Sequence, residues 1–163
     1  MLYYGEEIGM RGSRGSESTD ANRRLAMLWG DEDLIKDPVG STYPADKQIK
    51  TTVADQLEDE NSLYRYYCKL LTIRHRYPAI ARGIYTSVDC GQKNLGGFII
   101  EYEGEYTLLI HNTSTETITY DLSLCSYLDG KTFSKVCDYI GQGNAKLDGT
   151  TLTVGPQTSV VVK

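Results

Sequence analysis

The sequence predicts an α+β chain in two parts, a helix-bearing segment over residues 1–80 and an all-β antiparallel sandwich over residues 81–163. Three observations carry this. Three of the four prolines and 11 of the 17 Lys and Arg precede residue 81. A single strong helical period occupies residues 62–77. After Pro78, β-branched and aromatic runs alternate with Gly, Asn and Asp turns, which is the pattern of short antiparallel strands.

Met1 to Tyr4 form a short apolar run that stops at Gly5, Glu6 and Glu7, and this reads as the end of a buried strand. Residues 11–22 form a Gly/Ser-rich polar loop, and 30–52 a second irregular stretch holding Pro38, Gly40 and Pro44. Long loops of this kind in a domain are usually functional or disordered. Between them Met27, Leu28 and Trp29 make a small apolar anchor in which Trp29 is expected to pack. The helix over 62–77 has Ser62 as its N-cap, Asp59 and Glu60 at the positive end of the dipole, and Arg74, His75 and Arg76 at the negative end before Pro78 stops it. Leu63, Tyr67, Leu70, Leu71 and Arg74 recur at i, i+4, i+7, i+8 and i+11, a stripe expected to cover another layer. Strands are expected at 84–88, 97–102, 106–111, 117–122, 132–139 and 158–162, with weaker ones at 145–147 and 151–154. Turns at Glu103-Gly104, Asp129-Gly130 and Asp148-Gly149 separate them.

The 163 residues, 40% apolar and 24% charged, suffice for a globular core. They do not suffice for a whole (β/α)8 barrel of roughly 250 residues. A net charge of -5 disfavours a nucleic-acid partner. No window approaches the roughly 20 apolar residues of a membrane span, and residues 1–6 lack the basic and apolar regions of a signal peptide, so a soluble chain is expected. Cys68, Cys90, Cys125 and Cys137 show no CxxC or Cys/His ligand spacing and read as reduced and mostly buried, which fits a cytoplasmic location. Cys68 and His75 share a helical face, but two ligands without two more make no metal site. Asp31, Glu32, Asp33 and Asp37 lack the alternating ligands, central Gly and terminal Glu of a calcium loop and read as solvated charge. Neither metal nor cofactor is expected.

Among candidate site residues, Glu6 and Glu7 follow the first strand. Neighbours on an extended strand point to opposite faces, so both cannot face one substrate if the strand continues. Asp20 and Arg24 lie four apart at the mouth of a loop that turns helical. Such a carboxylate and guanidinium offer acceptors and donors at fixed separation, suited to clamping sugar hydroxyls, while spacing alone favours a plain ion pair. His111 ends an apolar strand run without a serine or cysteine motif. Tyr accounts for 13 aromatic residues against two Phe and one Trp. Tyr64, Tyr66 and Tyr67 cluster on the helix, where sugar stacking competes with ordinary packing.

Three segments carry a resemblance. Leu2-Tyr3-Tyr4-Gly5-Glu6-Glu7-Ile8-Gly9-Met10, then Asp20-Ala21-Asn22-Arg23-Arg24-Leu25-Ala26-Met27-Leu28-Trp29, then Ser62-Leu63 through Tyr67, Leu70, Leu71 and Arg74 to Pro78-Ala79-Ile80 resemble the closing section of the α-amylase family, glycoside hydrolase family 13, over about residues 1–88. The resemblance implies that these segments are the eighth barrel strand, the loop after it and the last barrel helix, with a β-sandwich C-terminal domain following. It further implies a parent enzyme, a retaining α-glucosidase or α-glucanase acting on α-glucans or maltooligosaccharides. The family's nucleophilic Asp, acid/base Glu and stabilising Asp lie after the fourth, fifth and seventh strands, which have no counterpart here, so this chain alone is expected to be inactive, with no catalytic residue of its own. Glu6 and Glu7 match rim positions rather than catalytic carboxylates. Asp20 and Arg24 match an Asp and Arg that bind glucose at a donor-side subsite in several members, which reverses the preference for a plain ion pair. At Leu25-Ala26 the sequence departs from members that carry a Pro before the Met. The alternative is a carbohydrate-binding or structural sandwich module, disfavoured as a sugar binder because the one Trp lies outside the sandwich. The helix is expected to dock on the sandwich, and remaining apolar surface to drive a homodimer.

Overall fold

A computed structural model describes residues 1–14, 20–30 and 35–163. The chain divides into two compact units, Met1–Lys69 and Leu70–Lys163.

The first unit is built from short pieces. Single 3-10 turns form at Glu6–Ile8, Asp20–Arg23 and Ala45–Lys47, and a short helix, α1, spans Val53–Glu58. α1 begins with a capping box: the Asp55 backbone N–H donates to the Thr52 hydroxyl at 3.2 Å, and the Asp55 carboxylate accepts from the Thr52 N–H at 2.7 Å. The Thr52 N–H, and then the Thr52 hydroxyl donating to the same carboxylate at 2.8 Å, hold the Asp55 carboxyl below its ordinary range. The longest helix, α2 (Leu63–Arg76), starts at Ser62 as expected. The Ser62 hydroxyl accepts from the Arg65 N–H at 3.2 Å and donates to the Gln56 carbonyl at 2.7 Å. Buried Gln56 joins three segments, donating to the Ile8 carbonyl at 2.8 Å and to the Thr51 hydroxyl at 3.1 Å while accepting from the Tyr64 N–H at 3.1 Å. All three bonds satisfy a carboxamide that burial would otherwise leave unpaired.

Two expectations are corrected here. Residues 1–4 carry no strand; they run into a turn and the 3-10 turn Glu6–Ile8. A strand exists only through ladder bonds to a neighbour. Among the described residues no segment pairs with 1–4. Trp29, expected to pack, is 53% exposed; its backbone carbonyl is held by the Ala54 N–H at 3.0 Å.

The second unit holds the end of α2, a short helix α3 (Pro78–Arg82) and eight strands: β1 Ile84–Gln92, β2 Leu95–Tyr102, β3 Glu105–Asn112, β4 Ile118–Asp121, β5 Val136–Gly141, β6 Ala145–Asp148, β7 Thr151–Val154 and β8 Thr158–Val162. Pro78 both ends α2, having no N–H to donate, and serves as a first residue of α3. One sheet has the order β1-β2-β3-β8-β5 and the other β4-β7-β6, every pair antiparallel. β8, the last strand in sequence, therefore sits inside the larger sheet between β3 and β5.

Side chains of both sheets meet in one core. Ile99, Leu108, Ile110, Val160 and Val162 from the larger sheet pack with Tyr120, Leu152 and Val154 from the smaller. Burying each such aliphatic side chain contributes roughly 1.5–3 kcal/mol. On the other face of the larger sheet Ile73 packs with Ile140 and Val161, flanked by Tyr77, Ile80, Leu109 and Cys137. The Tyr77 hydroxyl donates to the Cys137 carbonyl at 3.1 Å, and Arg76 pairs with Asp138 at 2.6 Å. The end of α2 thus docks on the sheet as expected, but not through the expected stripe. Leu63, Leu70 and Leu71 are exposed, while the one buried residue of the helix is Ile73. Periodicity identifies an apolar face without saying which face the fold uses, and Ile73 followed by Tyr77 and Ile80 supplies the competing row.

His111 faces the same side of β3 as Leu109, half-buried, its Nδ1 2.7 Å from the Ser159 hydroxyl. Burial pushes its pKa down. The folded state therefore prefers neutral histidine, and this contribution is present above the ordinary histidine range near pH ~6.5 and is lost as pH falls through the lowered folded value. Urea titrations between about pH 7.5 and about pH 5 should show the native chain losing stability more steeply than a His111→Gln variant. Parallel curves for the two would remove His111 from the account.

Candidate functional site

The chain's sequence-predicted site residues lie in the first unit, around an open cleft of about 650 Å³ lined by Tyr3, Tyr4, Glu6, Arg11, Asp20 and Arg24 among others. One wall is the turn at residues 3–10. Gly5 and Gly9 take left-handed φ values of 86° and 78°, and the Met10 N–H returns to the Gly5 carbonyl at 2.8 Å. A side chain at Gly5 would also run into Met10 Sδ at 2.7 Å. Only glycine satisfies both demands. Glu6 Oε2 accepts from the Tyr3 N–H at 3.2 Å, so this carboxylate closes the turn. Because Glu6 and Glu7 stand on a 3-10 turn, strand alternation does not govern which way they point.

The opposite wall is the 3-10 turn Asp20–Arg23 and the residues after it. Arg24 donates to Asp20 Oδ2 at 2.9 Å, and Arg23 approaches Oδ1 at 3.7 Å. The sequence-predicted pair is thus brought together, with side chains 53% and 64% exposed. At that exposure the pair adds little to stability, about 0–1 kcal/mol. The Tyr4 hydroxyl donates to the Leu25 carbonyl at 2.9 Å and joins the two walls. Burial, then the neighbouring Tyr3, pushes the Tyr4 phenol up, so it stays a neutral donor. The Tyr3 and Tyr4 rings lie 4.8 Å apart, tilted by 39°.

Asn22 organises the site, and no spacing or motif singles it out. It is 4% exposed. Its Oδ1 accepts from the Thr42 N–H at 2.7 Å, the Tyr43 N–H at 3.1 Å and the Ser41 hydroxyl at 3.3 Å. Its Nδ2 donates to the Thr42 hydroxyl at 3.0 Å and to Ser13 at 3.5 Å. Asp37, read from sequence as solvated charge, instead accepts from the Ala26 N–H at 2.8 Å. Asp31, Glu32 and Asp33, with residues 15–19 of the polar loop, lie outside the described residues.

Chemically the cleft offers the carboxylates of Glu6 and Asp20 and the guanidinium groups of Arg11, Arg14, Arg23 and Arg24 beside the rings of Tyr3 and Tyr4. That set hydrogen-bonds vicinal hydroxyls and covers an apolar ring face. Among the described residues no group of three or more His, Cys, Asp or Glu is arranged to hold a metal, and no helix is long and apolar enough to cross a membrane.

No protein-family model matches the chain. Over 99% of its length it is 31% identical to the α-amylase SusG of Bacteroides thetaiotaomicron, of which it spans 23%. It is 28% identical, again over 99%, to α-amylase 3 of Dictyoglomus thermophilum, of which it spans 30%. The solved structure of Eubacterium rectale Amy13B matches 99% of the chain with a TM-score of 0.81 at 29% identity, the match covering 31% of that protein. The chain therefore spans under a third of the length of these relatives.

Proposed function

Because this chain is related along its whole length to the C-terminal region of α-amylase-family glycoside hydrolases, we propose that it is the closing part of an α-glucan-degrading enzyme. Residues 1–80 are then the remnant of a catalytic (β/α)8 barrel and residues 81–163 its C-terminal domain. The parent cleaves α-glucosidic bonds with retention, and this chain alone is inactive, since acid/base and nucleophilic carboxylates belong to segments outside it. The observation that carries the reading is the Asp20–Arg24 pair, joined at 2.9 Å yet largely open to solvent on the rim of a cleft. In this role Asp20 accepts from two sugar hydroxyls and Arg24 donates to their oxygens.

Calorimetry and hydrolysis assays with maltooligosaccharides and soluble starch test the reading. The expected result is weak binding without turnover; release of reducing sugar would overturn the inactive assignment. Asp20→Ala and Arg24→Ala should each weaken maltooligosaccharide binding by about tenfold, the loss of one or two charge-assisted hydrogen bonds. Their unfolding midpoints should hardly move. Binding unchanged in both variants would remove the pair from the sugar site. The exposed Leu63, Leu70 and Leu71 on α2 are, in this reading, a face that the rest of the catalytic domain covers and that a second copy covers in its absence. Sedimentation giving a monomer at high concentration would count against the second copy.

A further inference from the structure

We infer that Cys90 and Cys125 are an oxidisable pair, a site at which a low-molecular-weight disulfide such as oxidised glutathione closes one covalent tie between strand β1 and the segment joining β4 to β5. Both side chains are buried in the same core, at 5% and 6% exposure. β1 alternates so that Val88 and Cys90 point inward and Asp89 outward. The Cys125 thiol donates to the Asp89 carbonyl at 3.7 Å, which sets its sulfur beside the residue preceding Cys90. Burial first, and then the neighbouring Cys125 thiol, push the Cys90 thiol's pKa up. β1 lies against the 3-10 turn Ser126–Leu128, which Cys125 caps. The other two cysteines are placed differently. Cys137 belongs to the cluster on the opposite face of the sheet, and Cys68 is exposed on α2.

The exchange balances with one oxidised glutathione. A protein thiolate attacks it and releases one glutathione; the second protein thiolate then attacks the mixed disulfide and releases the other. Both thiol protons end on the two glutathiones, and the two protein sulfurs are each oxidised by one electron. Burial pushes the Cys90 thiol up to about 12, so attack in the closed fold is slow. The reaction runs through opening of β1, an edge strand whose register breaks between Asp89 and Gln92. Once closed, the bond encloses about 35 residues of chain, a loop length at which cross-linking strongly restricts the unfolded ensemble.

The test uses the full chain carrying Cys68→Ala and Cys137→Ala, which leaves only the pair in question. It is cycled through mild urea with oxidised glutathione, then analysed by peptide mapping, intact mass and thermal unfolding. The expected product is a monomer lighter by about two mass units, with one cross-linked peptide joining residues 90 and 125. Its thermal midpoint should rise by about 10 °C, and reduction should reverse the rise. A glutathione adduct at one cysteine, a disulfide-linked dimer, or two thiols still free after a cycle in which both became alkylatable would overturn the inference. So would a cross-link that lowers the midpoint, since the native geometry would then not accommodate it.

Discussion

Replacing Asn22 with alanine is expected to destabilise the Met1–Lys69 unit by about 3 kcal/mol, more than any charge change at the rim of the cleft. The carboxamide is buried and used at both ends, accepting from Thr42, Tyr43 and Ser41 and donating to Thr42 and Ser13. Alanine leaves two backbone N–H groups without their acceptor, and each unpaired buried donor costs about 1–3 kcal/mol. Water entering the space offsets part of that. The carbonyl of Asn22 also accepts from the Ser13 N–H at 3.2 Å, so loss of the side chain loosens a segment it holds through its backbone as well. Urea unfolding together with limited proteolysis near residues 11–14 and 41–43 measures the effect. A loss below about 1 kcal/mol would mean that the network is replaced by solvent at no cost. Asn22→Asp separates the two ends, because it keeps the acceptor and abolishes donation to Thr42 and Ser13. Maltooligosaccharide affinity should fall in Asn22→Ala along with stability, whereas in Asp20→Ala affinity falls alone.

Gly97→Ala is expected to destabilise the sandwich by about 3 kcal/mol through collision. Gly97 pairs with Val88 on one side and Ile110 on the other. An added Cβ there would run into the Leu109 carbonyl oxygen, with the Leu109 carbon at 2.9 Å and Ile110 Cα at 3.0 Å. These are backbone atoms of β3, which is bonded to β2 and β8 and has no rotamer to change. Relief requires β2 and β3 to separate locally, at the expense of ladder bonds and of packing at Leu108 and Ile110, both fully buried. Gly96→Ala, one residue away, is the control. Its Cβ would meet only the Val88 carbonyl oxygen at 3.2 Å, so a much smaller loss is expected. Equal losses in the two variants would point to a general intolerance of side chains in β2 rather than to this approach of two backbones.

Much of the second unit was legible in the sequence because its pattern is local. Strands expected at 158–162, 151–154 and 145–147 appear at Thr158–Val162, Thr151–Val154 and Ala145–Asp148. The strand expected from 132 begins at Val136. Residues 134 and 135 instead bond through their backbones to the Lys163 carbonyl, outside the ladder register. α1 and α3 were not expected, being too short to show a helical period. The site was legible in part. Asp20 and Arg24 stand out because two opposite charges at i, i+4 meet on any helical turn. Asn22 and Gln56 do not, because their importance lies in partners about 20 and 48 residues away, and such closure is invisible in a local window. Nor could the exposure of Leu63, Leu70 and Leu71 be read from periodicity, which reports that a face is apolar and not what lies against it.

The position of β8 bears on how the protein is made. It bonds to β3 and β5 alike, so the larger sheet stays in two pieces until residue 162 has left the ribosome. Before then the β2–β3 hairpin can form, with Leu108 and Ile110 still uncovered by Val160 and Val162. At a synthesis rate of about 5–20 residues per second the nascent hairpin remains in that state for seconds. Completion of the sandwich thus waits for its last strand to be made, and until then the nascent chain presents its apolar strands to chaperones or to neighbouring copies on the same messenger.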